Sequence, residues 1–194
     1  MRYLFIDTSL ADVSIAVIED NKILSSIHEY IPNEHSIYAV SYVDKVLKKA
    51  NLEANDIDKI LIVTGPGSFT GVRIGVTIAK MYAYLLEKEV IPVSSLKSRV
   101  LGKKSNYFLS MIDAKNNNYY VGLYDNNYNE IKESFMKEEE ILKLKQKYNP
   151  LVVNEEDSYD LLEIVSYYKD NKGVNVHSLV PNYLKLPQAL EDRI

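Results

Sequence analysis

The run Gly65-Pro66-Gly67-Ser68-Phe69-Thr70-Gly71-Val72-Arg73-Ile74-Gly75 constrains this chain more than any other feature. It follows the short apolar stretch Lys59 to Thr64, which reads as a buried strand, and it opens a helical pattern from Thr70 to Lys88. The backbone must therefore turn sharply from strand to helix. Gly65 and Gly67 allow conformations that a Cβ forbids, and Pro66 stiffens the bend between them. Ser68 or Thr70 can cap the helix that follows. Such a turn offers free N–H groups that can hold an anion. It lacks the Gly-Lys-Ser/Thr ending of a phosphate loop and the spacing of a dinucleotide fingerprint, so a structural turn is the favoured reading.

Around this turn the pattern is regular. Residues 2–7, 13–18 and 23–30 read as strands, a helix is expected from Glu34 to Ala50, and Val90 to Val93 closes the first half as a strand. The order is β-β-β-α-β-α-β. The second half repeats it, with strands expected at 107–112, 119–124, 128–135 and 151–153, helices at 137–147 and 155–169, and a last strand at 174–176. Asp7 and Asn21 have the same spacing as Asp113 and Asn127, and an Ile precedes each Asp. The fold class expected is α/β, built from two ribonuclease H-like units of the type in actin, Hsp70 and sugar kinases, the second reduced. The boundary is placed near residue 100, giving domains 1–100 and 101–194.

Composition narrows the function. The chain has 194 residues, no Cys, and a net charge of −4. A disulfide scaffold or a cysteine-liganded zinc site is excluded. The acidic excess is spread over both halves, so autonomous nucleic-acid binding lacks its electrostatic footprint. The longest uncharged run, the 13 residues from Ile60 to Val72, is short of the roughly 18–20 that a membrane span needs. With no signal peptide pattern at the start, a cytoplasmic protein without membrane association is expected.

The two long helices of the first half carry an excess of apolar surface. Gly71, Gly75, Ala79 and Ala83 recur every four residues and form a small-residue ridge, while charge is confined to the line of Arg73, Lys80 and Glu87. In helix 34–50, Val40, Val43 and Leu47 give a core face, and Tyr38, Ala39, Tyr42 and Val46 widen it to about 200°, against the ~100° that one core contact requires. Helices with two apolar faces are a common form of obligate interface. The surface expected to bind a partner is therefore Tyr38, Tyr42, Val46, Gly71, Arg73, Gly75, Ala79, Tyr82 and Ala83. On that reading Gly75→Leu breaks the complex and leaves the monomer folded. The competing arrangement packs the ridge against the chain's own sheet.

With these motifs in order, the sequence resembles the bacterial TsaB (YeaZ) family of tRNA threonylcarbamoyladenosine biosynthesis proteins. The resemblance rests on Ile6-Asp7-Thr8-Ser9, Glu34-His35-Ser36, the Gly65–Gly75 run, Pro92-Val93-Ser94-Ser95-Leu96, Ile112-Asp113-Ala114 and Pro181-Asn182-Tyr183-Leu184-Lys185. The second half is short, and Lys185 stands where the family usually has Arg. The resemblance implies a relative of TsaD, the subunit that transfers a threonylcarbamoyl group to the adenine 3′ of the anticodon. It implies a partner that dimerises with TsaD and activates it, with the ATPase TsaE in the wider complex, tRNA met only through that complex, and a homodimer possible when the chain is alone.

No catalytic residue, metal or cofactor is expected. Register through Pro92-Val93 puts Ser95 and Arg99 at the two positions of the His-x-x-x-His metal motif of TsaD, and an arginine cannot ligate a metal. The turns after Asp7 and Asp113 lack the glycines with which actin-like ATPases approach phosphates. The rival readings are a metal-dependent peptidase-like enzyme and a small-molecule kinase.

Overall fold

The computed structural model describes residues 1–185. The first sheet contains β1 (Arg2–Asp7), β2 (Asp12–Glu19), β3 (Lys22–Tyr30), β4 (Lys59–Val63) and β5 (Glu89–Val93) in the order β3-β2-β1-β4-β5. β1, β2 and β3 form an antiparallel meander, and β4 and β5 run parallel to β1. Successive side chains of a strand point to opposite faces, and both faces of β1 are buried. This accounts for the unbroken apolar run Tyr-Leu-Phe-Ile. Leu4 and Ile6 face α1 (His35–Lys49) and α2 (Phe69–Leu85). Tyr3 and Phe5 face the opposite layer, where they join Ile164, Val165 and Tyr168 of α5 (Leu161–Tyr168).

The second sheet comprises β6 (Tyr107–Asp113), β7 (Asn118–Asp125), β8 (Glu130–Lys137) and β9 (Leu151–Val153), ordered β8-β7-β6-β9. One face is covered by α4 (Glu138–Tyr148) through Ile141. The other meets Leu96 of α3 (Ser95–Ser98) and Val100. The two sheets repeat one order of hairpins and helix, as the ribonuclease H-like fold class requires. Asp7 and Asp113 both end the first strand of their unit, and Asn21 and Asn127 both fall in the turn of the second hairpin.

Three elements differ from expectation. The strand at 174–176 does not form in the second sheet. Val174 instead makes a single antiparallel bridge to Val90 on the open edge of the first sheet, its N–H donating to the Val90 carbonyl at 2.9 Å. The helix expected from 155 begins at Leu161. Asp160 caps it, accepting from the N–H groups of Leu162 and Glu163, and Asn154 and Asp157 close a separate turn before it. The short α3, capped by Ser94, is too brief for periodicity to reveal. After residue 160 the chain returns to the first sheet, so the halves of the sequence share their packing layers.

Candidate functional site

The Gly65–Thr70 turn is held from three directions by the chain itself. Gly65 has a φ of 101°, a left-handed backbone that favours glycine. The Ser68 N–H donates to the Ser9 carbonyl at 2.7 Å, the Ser95 N–H to the Gly65 carbonyl at 3.0 Å, and the Asn182 N–H to the Thr64 carbonyl at 2.7 Å. The Ser95 hydroxyl donates to the Pro66 carbonyl. Ser68, not Thr70, caps α2, its hydroxyl accepting from the Gly71 N–H at 3.2 Å. At Gly67 a Cβ would collide with the Ser9 carbonyl. These contacts make the run a structural turn.

The small-residue ridge faces inward, which corrects its place in the expected partner surface. A Cβ on Gly71 would overlap the Thr8 carbonyl oxygen, and one on Gly75 the Thr8 hydroxyl. The Thr8 hydroxyl donates to the Gly71 carbonyl at 2.7 Å, and Ala79 and Ala83 are buried. Close approach is required by the chain's own β1 and its following turn. Tyr42 and Val46 are also buried. The Tyr42 hydroxyl donates to the Glu29 carboxylate, and chiefly this bond pushes its pKa up to about 12. With that partner Tyr42 can turn inward, and α1 is rotated accordingly. Val40, expected in the core, is 49% exposed.

Of the expected partner residues, Tyr38, Arg73 and Tyr82 keep accessible surface. Around them lie residues that the sequence reading missed or misplaced: Ile37 (66% exposed), Val40 and Phe69, with Met81, Tyr84 and Leu85 further along α2. Between the helices runs a groove of about 410 Å³, lined by Val40, Phe69, Arg73, Ile74, Thr77 and Ile78 with His35, Ser36 and Thr70 at one end. His35 pairs its Nε2 with the Leu10 carbonyl at 2.8 Å and is the hydrogen-bonding group that ties α1 to the β1–β2 turn.

A second, wider cleft of about 1010 Å³ lies between the two hairpin units. Its rim carries Asp12, Asp113, Glu155 and Glu156, against Lys115 and His28. The Asp7 carboxylate accepts from the Ser9 N–H at 2.8 Å, the Ser9 hydroxyl at 2.7 Å and the Tyr159 hydroxyl at 3.2 Å. Asp113 is held below the ordinary carboxylate range, first by the Lys115 N–H and then by its ammonium. Both carboxylates are thus occupied within the chain, and an acidic rim opposes phosphate.

The metal implied for the relatives of this fold does not fit these residues. The Ser95 hydroxyl is bound to Pro66. Arg99 is buried under Tyr159 and donates from Nη1 to the Asp157 carbonyl at 2.9 Å. Among the described residues no three His, Cys, Asp or Glu side chains converge as ligands.

The comparisons with known proteins agree with this geometry. Residues 22–188 match the family model described as TsaD, tRNA N6-adenosine threonylcarbamoyltransferase. The chain is 30% identical to the tRNA threonylcarbamoyladenosine biosynthesis protein TsaB of Bacillus subtilis, over 97% of its own length and 96% of that protein's. It is 33% identical to TsaB of Escherichia coli, over 68% of this chain and 58% of that one. A TsaD-type transferase of Prosthecochloris aestuarii is 31% identical, over 52% of this chain but only 33% of the transferase. Among solved structures, YeaZ from Pseudomonas aeruginosa superposes with a TM-score of 0.77 at 22% identity, covering 94% of this chain and 99% of that one. Two repeated hairpin units, a self-bonded glycine turn and near full-length likeness to TsaB lead to one assignment. The chain belongs to the TsaB (YeaZ) family of tRNA threonylcarbamoyladenosine biosynthesis proteins.

Proposed function

We propose that this protein is a non-catalytic subunit that docks its α1–α2 face on a TsaD transferase and activates it for N6-threonylcarbamoylation of tRNA. The observation that carries the reading is the exposed apolar groove between α1 and α2, where Val40 and Phe69 line the walls and Ile37, Met81, Tyr84 and Leu85 extend the exposed apolar surface of the same two helices. Contiguous apolar surface of this kind marks an interaction site. The match to a TsaD model over residues 22–188 supports a partner of the same architecture, which can present equivalent helices. The non-catalytic part draws on the chemistry available. Ser95 and Arg99 are bound within the chain, and the interlobe cleft has an acidic rim. With a net charge of −4, tRNA contact comes through the assembled complex, where TsaE is a further partner.

Docking would work by holding TsaD in its competent arrangement, which requires stronger binding to that state than to others. The test is deletion of the gene with measurement of N6-threonylcarbamoyladenosine in bulk tRNA. The modification is expected to fall, to return with the wild-type gene and not with a Val40→Asp copy, and the purified protein alone is expected to modify no tRNA. Normal modification in a clean deletion would overturn the proposal.

A further inference from the structure

Arg73 lies in the wall of the apolar groove and is the permanently charged residue in its lining. Its side chain is held from two sides. The guanidinium carbon sits 3.8 Å from the centre of the Phe69 ring. From Nε the group donates to the Tyr183 hydroxyl at 2.7 Å, and the Tyr183 ring stacks on Phe69 with centres 5.3 Å apart. Tyr183 belongs to a strap that crosses α2 from the other end of the chain. Leu179 is buried in the first core, Lys80 donates to its carbonyl at 3.1 Å, and Asn182 is bonded to Thr64. The guanidinium plane is thereby fixed by residues that do not neutralise it. Among the described residues neither terminal amino group has a hydrogen-bond partner, and no carboxylate lies within ion-pair distance.

We propose that Arg73 is the polar anchor of this face, that it receives a carboxylate side chain from a helix of the docked partner, and that Tyr183 is the residue that positions it. The inference rests on the α1–α2 docking proposed above and adds the chemistry of the partner. An apolar partner surface closing over a guanidinium that has no carboxylate partner among the described residues would strand a buried charge, which is strongly unfavourable. A carboxylate satisfies both terminal amino groups at once, because the planar fork matches it in bidentate fashion. The walls on either side, Val40 with Ile74 and Ile78, suit aliphatic neighbours of that acid. A nucleic-acid phosphate is the poorer fit, since backbone binding relies on several basic residues together and this groove provides one.

The experiment is titration calorimetry of the full chain against purified TsaD from the same organism, with melting curves on each variant. Arg73→Gln is expected to weaken binding by roughly 10- to 100-fold with an unchanged melting temperature. Arg73→Lys restores only part of the loss because it lacks the fork. Tyr183→Phe, which removes only the hydroxyl, is expected to cost about 3- to 10-fold, the loss of one hydrogen bond to a charged group reduced by exposure. Wild-type affinity falls below about pH 5 as the partner carboxylate protonates, and Arg73→Gln flattens that fall, an effect that a merely structural role would not produce. Amide scanning of the acids on TsaD's helices should find one whose loss is non-additive with Arg73→Gln. If Arg73→Gln binds TsaD within twofold of wild type while Val40→Asp does not bind, the carboxylate anchor is overturned and the docking face stands. If both variants bind normally, the face itself falls. An effect of Arg73→Gln confined to self-association of this chain would also overturn the proposal.

Discussion

The two sides of α2 differ in residue size and do opposite work. One carries Gly71, Gly75, Ala79 and Ala83 and is pressed against β1 and the Thr8 turn. The other carries Phe69, Arg73, Ile74, Thr77 and Met81 and lines or borders an open groove. Small residues mark where the backbone of the helix meets the backbone of its own sheet. Large residues left uncovered mark where another molecule can sit. A glycine ridge is therefore a sign of close approach without saying to what, and here the answer is internal.

The most severe way to test this difference is Gly75→Leu. Its side chain would enter the space held by Thr8 and Ile62, and overpacking costs about 1–3 kcal/mol, occasionally more. With no room on either side, about 3 kcal/mol or more is expected, a drop of roughly 6–12 °C in the melting midpoint for a chain of this size. A folded Gly75→Leu protein with an unchanged midpoint would break the comparison. Next comes Val40→Asp on the open side. It should leave the midpoint within about 2 °C and weaken TsaD binding by roughly 30-fold, about 2 kcal/mol. A variant that melts early but binds once folded would reverse the roles of the two sides.

Smaller effects sharpen the same contrast on α1. Tyr38→Ala removes a half-open ring that stacks on Tyr42 and is expected to weaken binding by about 3- to 10-fold with little change in stability. Tyr42→Phe should do the converse and cost about 1 kcal/mol of stability through the lost bond to Glu29, with binding unaffected. The pH dependence follows from the same bond. The folded pKa of Tyr42 is raised to about 12 from 10.0, so its contribution is full below about pH 10 and is lost as pH rises through 12. Denaturant midpoints measured from pH 9 to 12 should fall less steeply for Tyr42→Phe than for wild type.

Much of this architecture could be read from the residues. The strand–turn–helix at Gly65 and the matched Asp7 and Asp113 hairpins were legible because each local choice agrees with the fold. Which face of α1 is buried was not. A spacing argument puts Val40, Val43 and Leu47 together, but Tyr42 enters the core once its hydroxyl finds Glu29, a contact made across β3. The ridge was read correctly as a site of close packing and assigned to the wrong neighbour, because periodicity carries no information about what lies opposite a helix. Phe69 was noticed as part of the turn motif, while its role as the floor under Arg73 depends on Tyr183, 110 residues away from Arg73 in sequence. The last strand at 174–176 failed for a related reason. An open sheet edge elsewhere in the molecule captured Val174.

The return of the chain to its first sheet has a consequence for synthesis on the ribosome. One layer of the N-terminal sheet is supplied by residues 161–168, and the flank of α2 is supplied by the stretch around Leu179 to Tyr183. A nascent chain that has produced only its first hundred residues holds five strands with one side bare. Contacts of such long sequence separation form late. The contacts that hold Arg73 in place are completed only when Tyr183 has left the exit tunnel, so the flank of α2 stays unfinished long after its own residues have emerged.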